Sequence, residues 1–131
     1  VILGIGTDLC EVDRMAAALA RSGDRFAARV FTHEERDAAA AQPEPAAFLA
    51  RCFALKEACF KSLGRGWPDD IGFDEIRMTD PSARCGLLVL SGRAATWAAR
   101  AGVRRVHAAT TCDGALAAAV VIAEGLSPSE G

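Results

Sequence analysis

The most regular pattern in the chain runs from Ala46 to Leu63, where Phe48, Cys52, Leu55, Cys59 and Leu63 recur at spacings of four, three, four and four. That is one face of a buried helix about 27 Å long. Phe53 and Phe60 widen the apolar stripe, while Ala50, Ala54, Glu57 and Lys61 fall together on the opposite side. Two charges on an alanine floor leave space for a ligand. Gly64-Arg65-Gly66 ends this helix as a glycine cap does, and Trp67-Pro68-Asp69-Asp70 makes a turn.

Shorter patterns flank it. The opening run, Val1 to Leu9, is apolar but interrupted by Gly4 and Gly6, a strand whose backbone is approached closely by something else, with Asp8 at its end. Asp13 to Leu19 is alanine-rich helix, and Ser22-Gly23-Asp24 stops and restarts it, giving two short helices. Thr32 followed by Glu35 has capping-box spacing, predicting a helix from His33 to Ala41 closed by Pro43 and Pro45. Ile71 to Thr79 and Leu87 to Leu90 read as strands joined across Asp80-Pro81, and Arg93 to Ala101 as an amphipathic helix ended by Gly102. Two last strands, Arg104 to Thr111 and Ala115 to Ala123, flank the hairpin signal Asp113-Gly114. The expected architecture is one α+β domain over residues 1–124, an antiparallel sheet packed around a long central helix, followed by a polar tail at 125–131.

Composition narrows the class. With 131 residues, 51% hydrophobic and 24% charged at a formal net charge of −2, the chain has material for a real core and no electrostatic case for wrapping nucleic acid. Its longest apolar stretch, Ala115 to Ala123, falls far short of the roughly 20 residues of a membrane span. No signal-peptide pattern opens the chain, so the expectation is a cytoplasmic protein. Cys10, Cys52, Cys59, Cys85 and Cys112 are scattered, with only His33 and His107 beside them, which argues against zinc or a disulfide framework. Cys52 and Cys59 read as small buried hydrophobes and His33 as a surface helix residue. Lysine occurs only at Lys56 and Lys61, against thirteen arginines, so two lysines in one helix stand out.

Glu57 and Lys61, one turn apart, have the spacing of an ordinary surface ion pair. If Asp8 packs beside them, two carboxylates and an ammonium make a site for Mg²⁺ and phosphate. Spacing alone does not establish that proximity.

The segments G-I-G-T-D-L-C-E-V-D-R at 4–14, F-T-H-E-E at 31–35 and F-A-L-K-E-A-C-F-K-S-L-G-R-G at 53–66 occur in this order. Together they resemble holo-acyl-carrier-protein synthase, the small single-domain type of 4'-phosphopantetheinyl transferase, over residues 3 to 124. The resemblance implies transfer of phosphopantetheine from coenzyme A to a serine of an apo acyl carrier protein, releasing 3',5'-ADP, in fatty-acid or polyketide synthesis. It implies Mg²⁺ held by Asp8 and Glu57, with Glu57 also taking the serine proton and Lys61 neutralising the diphosphate. Lys56, Lys61, Gly64, Gly66, Arg51 and His107 become candidates for holding coenzyme A. Lys56 points about 140° away from Lys61, and helix capping explains Gly64 and Gly66 equally well. Arg14, Arg21 and Arg25, with Arg29 beyond them, become the grip on the carrier protein's acidic helix; the bland alternative is a solvated basic face. A homotrimer with active sites at subunit boundaries is also implied.

Three departures concern the nucleotide end of coenzyme A. The family's arginine before F-A-x-K-E-A is here Cys52, with Arg51 one residue earlier; its G-K-P is Arg84-Cys85-Gly86; and its H-x-S-x-S-H is His107 to Cys112. Two alternatives stand beside the transferase: a non-catalytic or repurposed homologue that keeps the carrier-protein grip, and an unrelated α+β interaction domain in which Asp8 and Glu57 never meet.

Overall fold

The computed structural model describes residues 1–64 and 70–128. Strand β1 (Ile2–Glu11) leads into α1 (Val12–Val30), α2 (His33–Ala40) and the long α3 (Pro45–Ser62). A 3₁₀ turn (Phe73–Glu75), β2 (Ile76–Met78), β3 (Cys85–Leu90), α4 (Gly92–Arg100), β4 (Val103–Asp113) and β5 (Leu116–Gly125) complete it. The strands form one antiparallel sheet in the order β1-β5-β4-β3-β2.

Helix α3 lies directly on the backbone of β1. A Cβ at Gly4 would stand 1.8 Å from the Ser62 carbonyl oxygen, and one at Gly6 would stand 1.9 Å from that of Ala58. The glycines of the opening strand therefore exist for this contact, as its pattern predicts. The same geometry corrects the ligand-floor expectation, because Ala50, Ala54 and Ala58 are fully buried and serve as the packing surface toward Ala117, Ala119 and Val121 of β5. Small residues on both sides let helix and sheet approach closely. The opposite stripe is buried too. Leu55 and Cys59 join Ile71, Ile76, Met78, Leu88 and Val106 in one core, while Phe48 and Cys52 join Met15, Val30, Phe31 and Ala39 in another. Burial pushes the Cys52 and Cys59 thiols up to about 12, which keeps them protonated and inert.

Helix α1 is two helices joined at Gly23, whose φ of 54° and ψ of −139° break the spiral. Thr32 and Glu35 form the reciprocal capping box, and His33 sits exposed beside Asp37 at 3.2 Å. Pro45 opens α3 in its first turn rather than closing α2. The strand expected over Ile71–Thr79 shrinks to Ile76–Met78. The reason is Glu75, whose carboxylate accepts from Gly72 N at 2.6 Å and from Arg93 N and Ala94 N at 2.5 and 3.1 Å, coiling the preceding chain into a cap for α4. Gly114, with φ of 61°, opens the two-residue loop of the predicted hairpin. The last strand extends one residue into the expected tail, since Gly125 exchanges hydrogen bonds with Val1 in both directions at 2.7 Å.

Strand register sorts the sheet into two faces. Asp8, Ala119 and Thr110 form one row beneath α3, while Ile5, Ile122, His107 and Leu87 form a row three positions along the strands, on the other face. On that far face Ile5 and Leu9 are 59% and 63% exposed. Among the described residues, no helix is long and apolar enough to cross a membrane.

Candidate active site

Asp8 ends the run Gly4-Gly6-Asp8 that faces α3, so it arrives where Glu57 and Lys61 emerge from the packed part of the helix. The Lys61 ammonium donates to Asp8 Oδ1 at 2.8 Å and to the Thr7 carbonyl at 3.1 Å. Glu57 is half-buried beside them. Burial, and then the negative charge of Asp8, push its carboxyl above the ordinary range, with Lys61 opposing. The Lys61 ammonium is itself shifted up, first by its hydrogen bond to Asp8 and then by that residue's charge. Two carboxylates and a cation, brought from positions 8, 57 and 61, thus share one partly solvated corner. Their donor set is hard oxygen, without histidine or thiolate, which suits Mg²⁺ completed by phosphate and water oxygens.

Lys56 does not join them. It is fully buried, ion-paired with Glu35 Oε1 at 2.9 Å, and donates to the carbonyl oxygens of Phe73, at 2.9 Å, and Ile76. All three ammonium protons are in use. The lysine expected to contact coenzyme A instead ties α2, α3 and the chain entering β2 together, aided by Phe73 packing on Phe53 and Phe60 at ring distances of 5.6 and 5.1 Å.

Arg51 stands elsewhere. Its guanidinium lies 5.3 Å from the centre of the Phe48 ring and donates to Thr110 Oγ1 at 3.4 Å. Thr110 in turn bonds the Arg84 carbonyl through its N–H at 2.6 Å and its hydroxyl at 3.3 Å. Together Arg51, Arg84 and Cys112 line a cleft of about 370 Å³ with Gln42, Glu44 and Phe48. All three departures from the family pattern meet around this cleft, while Cys52 points into the core. Thr110 lies two strands from Asp8 in the same row, roughly 10 Å away.

His107 projects from the far face of the sheet, its Nε2 3.0 Å from Glu124 Oε1. Within one chain it does not meet Asp8, Glu57 and Lys61. Gly64, with φ of 77°, occupies the left-handed conformation just after α3, and Gly66 lies outside the described residues. Arg14 and Arg21 rim a groove of about 370 Å³ floored by Met15, Phe26, Phe53 and Leu116, whereas Arg25 is exposed beyond the Gly23 break. Arg84 and Thr110 lie in the segments that depart from the family pattern, whereas nothing in the sequence pattern singles out Glu124. Glu124 emerges only from the observed hairpin register, in which Asp113 pairs with Leu116 about the Gly114-Ala115 loop and residue 124 stands diagonally across from His107.

Comparison with known proteins shows the family and the fold. Residues 4–121 match the model of the 4'-phosphopantetheinyl transferase superfamily. The chain is 43% identical over 124 residues to the holo-[acyl-carrier-protein] synthase of Nitratidesulfovibrio vulgaris (strain DP4), covering 95% of this chain and 99% of that protein. Its fold resembles that of the holo-ACP-synthase from Plasmodium yoelii, with a TM-score of 0.81 and 25% identity over 97% of this chain and 98% of that one. It also resembles the Bacillus anthracis str. Ames synthase solved in complex with CoA (3',5'-ADP), with a TM-score of 0.72 and 29% identity over 95% and 98% of the two chains.

Proposed function

Because the chain belongs to the 4'-phosphopantetheinyl transferase superfamily, we infer that it transfers 4'-phosphopantetheine from coenzyme A to a serine hydroxyl of an apo acyl carrier protein. The observation that carries the reading is the convergence of Asp8, Glu57 and Lys61. In the reaction the serine Oγ forms a bond to the β-phosphorus, the bond from that phosphorus to the bridging oxygen breaks, and 3',5'-ADP departs. The hydroxyl must shed its proton as it attacks. Glu57, whose carboxyl is pushed up by burial and by Asp8, is the acceptor suited to this step, directly or through one water. Lys61, exposed and held beside Asp8, is the cation placed to meet the diphosphate. Mg²⁺ held by Asp8 and Glu57 would supply further neutralisation of the phosphates.

The remaining parts of this reading follow from placement. Residues 1–124 act as one transferase domain in the cytoplasm, with Arg51 and the cleft beside it holding the nucleotide end of coenzyme A and Gly64 and Gly66 bordering its path. Arg14, Arg21 and Arg25 receive the acidic helix of the carrier protein, speeding encounter more than tightening the complex. We assign the protein to a homotrimer. The exposed apolar face of β1, β5 and β4 supports this, because a water-exposed sheet of that kind is stabilised by a second copy. The separation of His107 from Glu57 on opposite faces supports it as well, since a ligand touching both would be shared between chains.

The test follows the intact mass of an apo acyl carrier protein incubated with coenzyme A, MgCl₂ and the protein. Wild type adds one phosphopantetheine unit, and Glu57→Ala or chelation with EDTA adds none. Absence of any gain across several apo carrier proteins, together with no binding of coenzyme A, overturns the reading.

A further inference from the structure

The hairpin of β4 and β5 places an acidic side chain against the histidine on the far sheet face. Arg105 pairs directly with Glu124, and His107 pairs with Ile122, so Glu124 stands diagonal to His107 on the same face. The Glu124 carboxylate meets His107 Nε2 at 3.0 Å, and both side chains are about two-fifths exposed, 44% for the histidine and 41% for the glutamate. The Glu124 carboxyl sits below the ordinary range, first because of this hydrogen bond and then through the charges of His107, Arg105 and the chain terminus.

An ionised carboxylate only accepts hydrogen bonds, so the nitrogen that faces it carries the proton. Nε2 of His107 is therefore the protonated nitrogen in either charge state, and the ring is turned with Nδ1 outward. Among the described residues nothing bonds Nδ1. This is the logic by which a carboxylate sets the tautomer and angle of a working imidazole, with Nδ1 as the working atom here. Arg104 and Arg105 precede it by three and two positions, so the outward nitrogen belongs to a locally basic stretch that suits a phosphate oxygen.

We propose that Glu124 is a positioning residue for coenzyme A: its carboxylate takes the Nε2–H of His107, which leaves the Nδ1–H of the imidazolium form to donate to a phosphate of the donor molecule. The inference rests on the reading of His107 as a coenzyme A contact at a subunit boundary. It assigns Glu124 no contact with coenzyme A itself.

Three variants test it: Glu124→Gln, Glu124→Ala and His107→Ala. The first readout is the His107 tautomer in the ligand-free protein, from long-range ¹⁵N–¹H correlation spectra above the titration of the ring. Wild type should show Nε2–H, and both Glu124 variants a mixture. The second is the KM for coenzyme A against kcat. A pair this exposed is worth little alone, so Glu124→Gln should raise KM about two- to fivefold with kcat nearly unchanged. In the His107→Ala background, Glu124→Ala should add nothing. Melting temperature and mass in solution identify any variant that fails to fold, and the near-isosteric glutamine keeps the test available if alanine does not fold. An unchanged tautomer, or a KM effect of Glu124→Ala that persists without His107, overturns the inference while leaving the histidine's role intact. A normal KM in His107→Ala overturns the reading of His107 and the inference with it.

Discussion

Lys56→Met tests whether the first lysine of the central helix serves ligand or core. Methionine keeps the length of the stem but removes three donors, leaving Glu35 a buried unpaired carboxylate and the carbonyls of Phe73 and Ile76 short of a partner. Breaking a buried pair from one side costs about 3–5 kcal/mol. For a chain of 131 residues the unfolding entropy is about 0.28 kcal/mol per kelvin, so the melting temperature should fall by about 10–18 °C. Thermal unfolding followed by circular dichroism at fixed protein concentration measures this directly. Because the ammonium is enclosed, the KM for coenzyme A of the folded enzyme should stay within about twofold of wild type. The double variant Lys56→Met with Glu35→Gln should recover about 1–2 kcal/mol, since the amide still caps Thr32 N while the stranded charge is gone. A Lys56→Met protein that melts within about 2 °C of wild type but has a KM raised about tenfold would refute the reasoning and put this lysine on coenzyme A.

Three further outcomes are expected. Gly6→Ala sets a Cβ 1.9 Å from the Ala58 carbonyl and 2.7 Å from Ser62 N, so α3 must retreat and carry Glu57 and Lys61 away from Asp8; stability should fall by about 1–3 kcal/mol and kcat by about tenfold or more, and a variant normal in both would contradict the close approach. Glu57 binds its proton more tightly folded than unfolded, so its contribution is intact below the ordinary carboxylate range and is lost as pH rises through the folded value. In EDTA, Glu57→Gln should therefore melt like wild type at acid pH and progressively above it as pH increases, and the opposite trend would reverse the assigned environment. If the proposed trimer forms through the exposed apolar face, Ile5→Asp should leave monomer by light scattering and abolish transfer; a variant still trimeric and active would remove that face from the interface.

Most of the secondary structure could be read from the chain because it rests on local physics. The four-three spacing of α3, the Thr32–Glu35 box, the break at Gly23 and the hairpin signalled by Asp113-Gly114 each depend on residues within a turn or two of one another, and all are present, the hairpin with its loop one residue later at Gly114-Ala115. The strand expected over Ile71–Thr79 fails for a non-local reason, since Glu75 is recruited by the amides of Arg93 and Ala94. The motif residues Asp8, Glu57 and Lys61 were legible through family resemblance, and the structure brings them to one corner. The cleft formed by Arg51, Arg84 and Cys112 was legible only as a set of departures, because its walls come from α3, the loop before β3 and the β4–β5 hairpin.

A helical period fixes the angle between two side chains on one helix, and so the sequence by itself determined that Lys56 and Lys61 point in different directions. It did not determine what either would meet. When a helix is buried on nearly every side, its alanines can line a ligand site or a sheet contact with the same pattern, and only the approach of β1 through Gly4 and Gly6 decides for the sheet. The same approach decides that Asp8 lies beside Glu57 and that Lys61, at the solvent margin, rather than Lys56, in the core, is the cation available to a phosphate. Side-chain direction is a local property of the chain, whereas proximity across 49 residues is set by which surfaces pack.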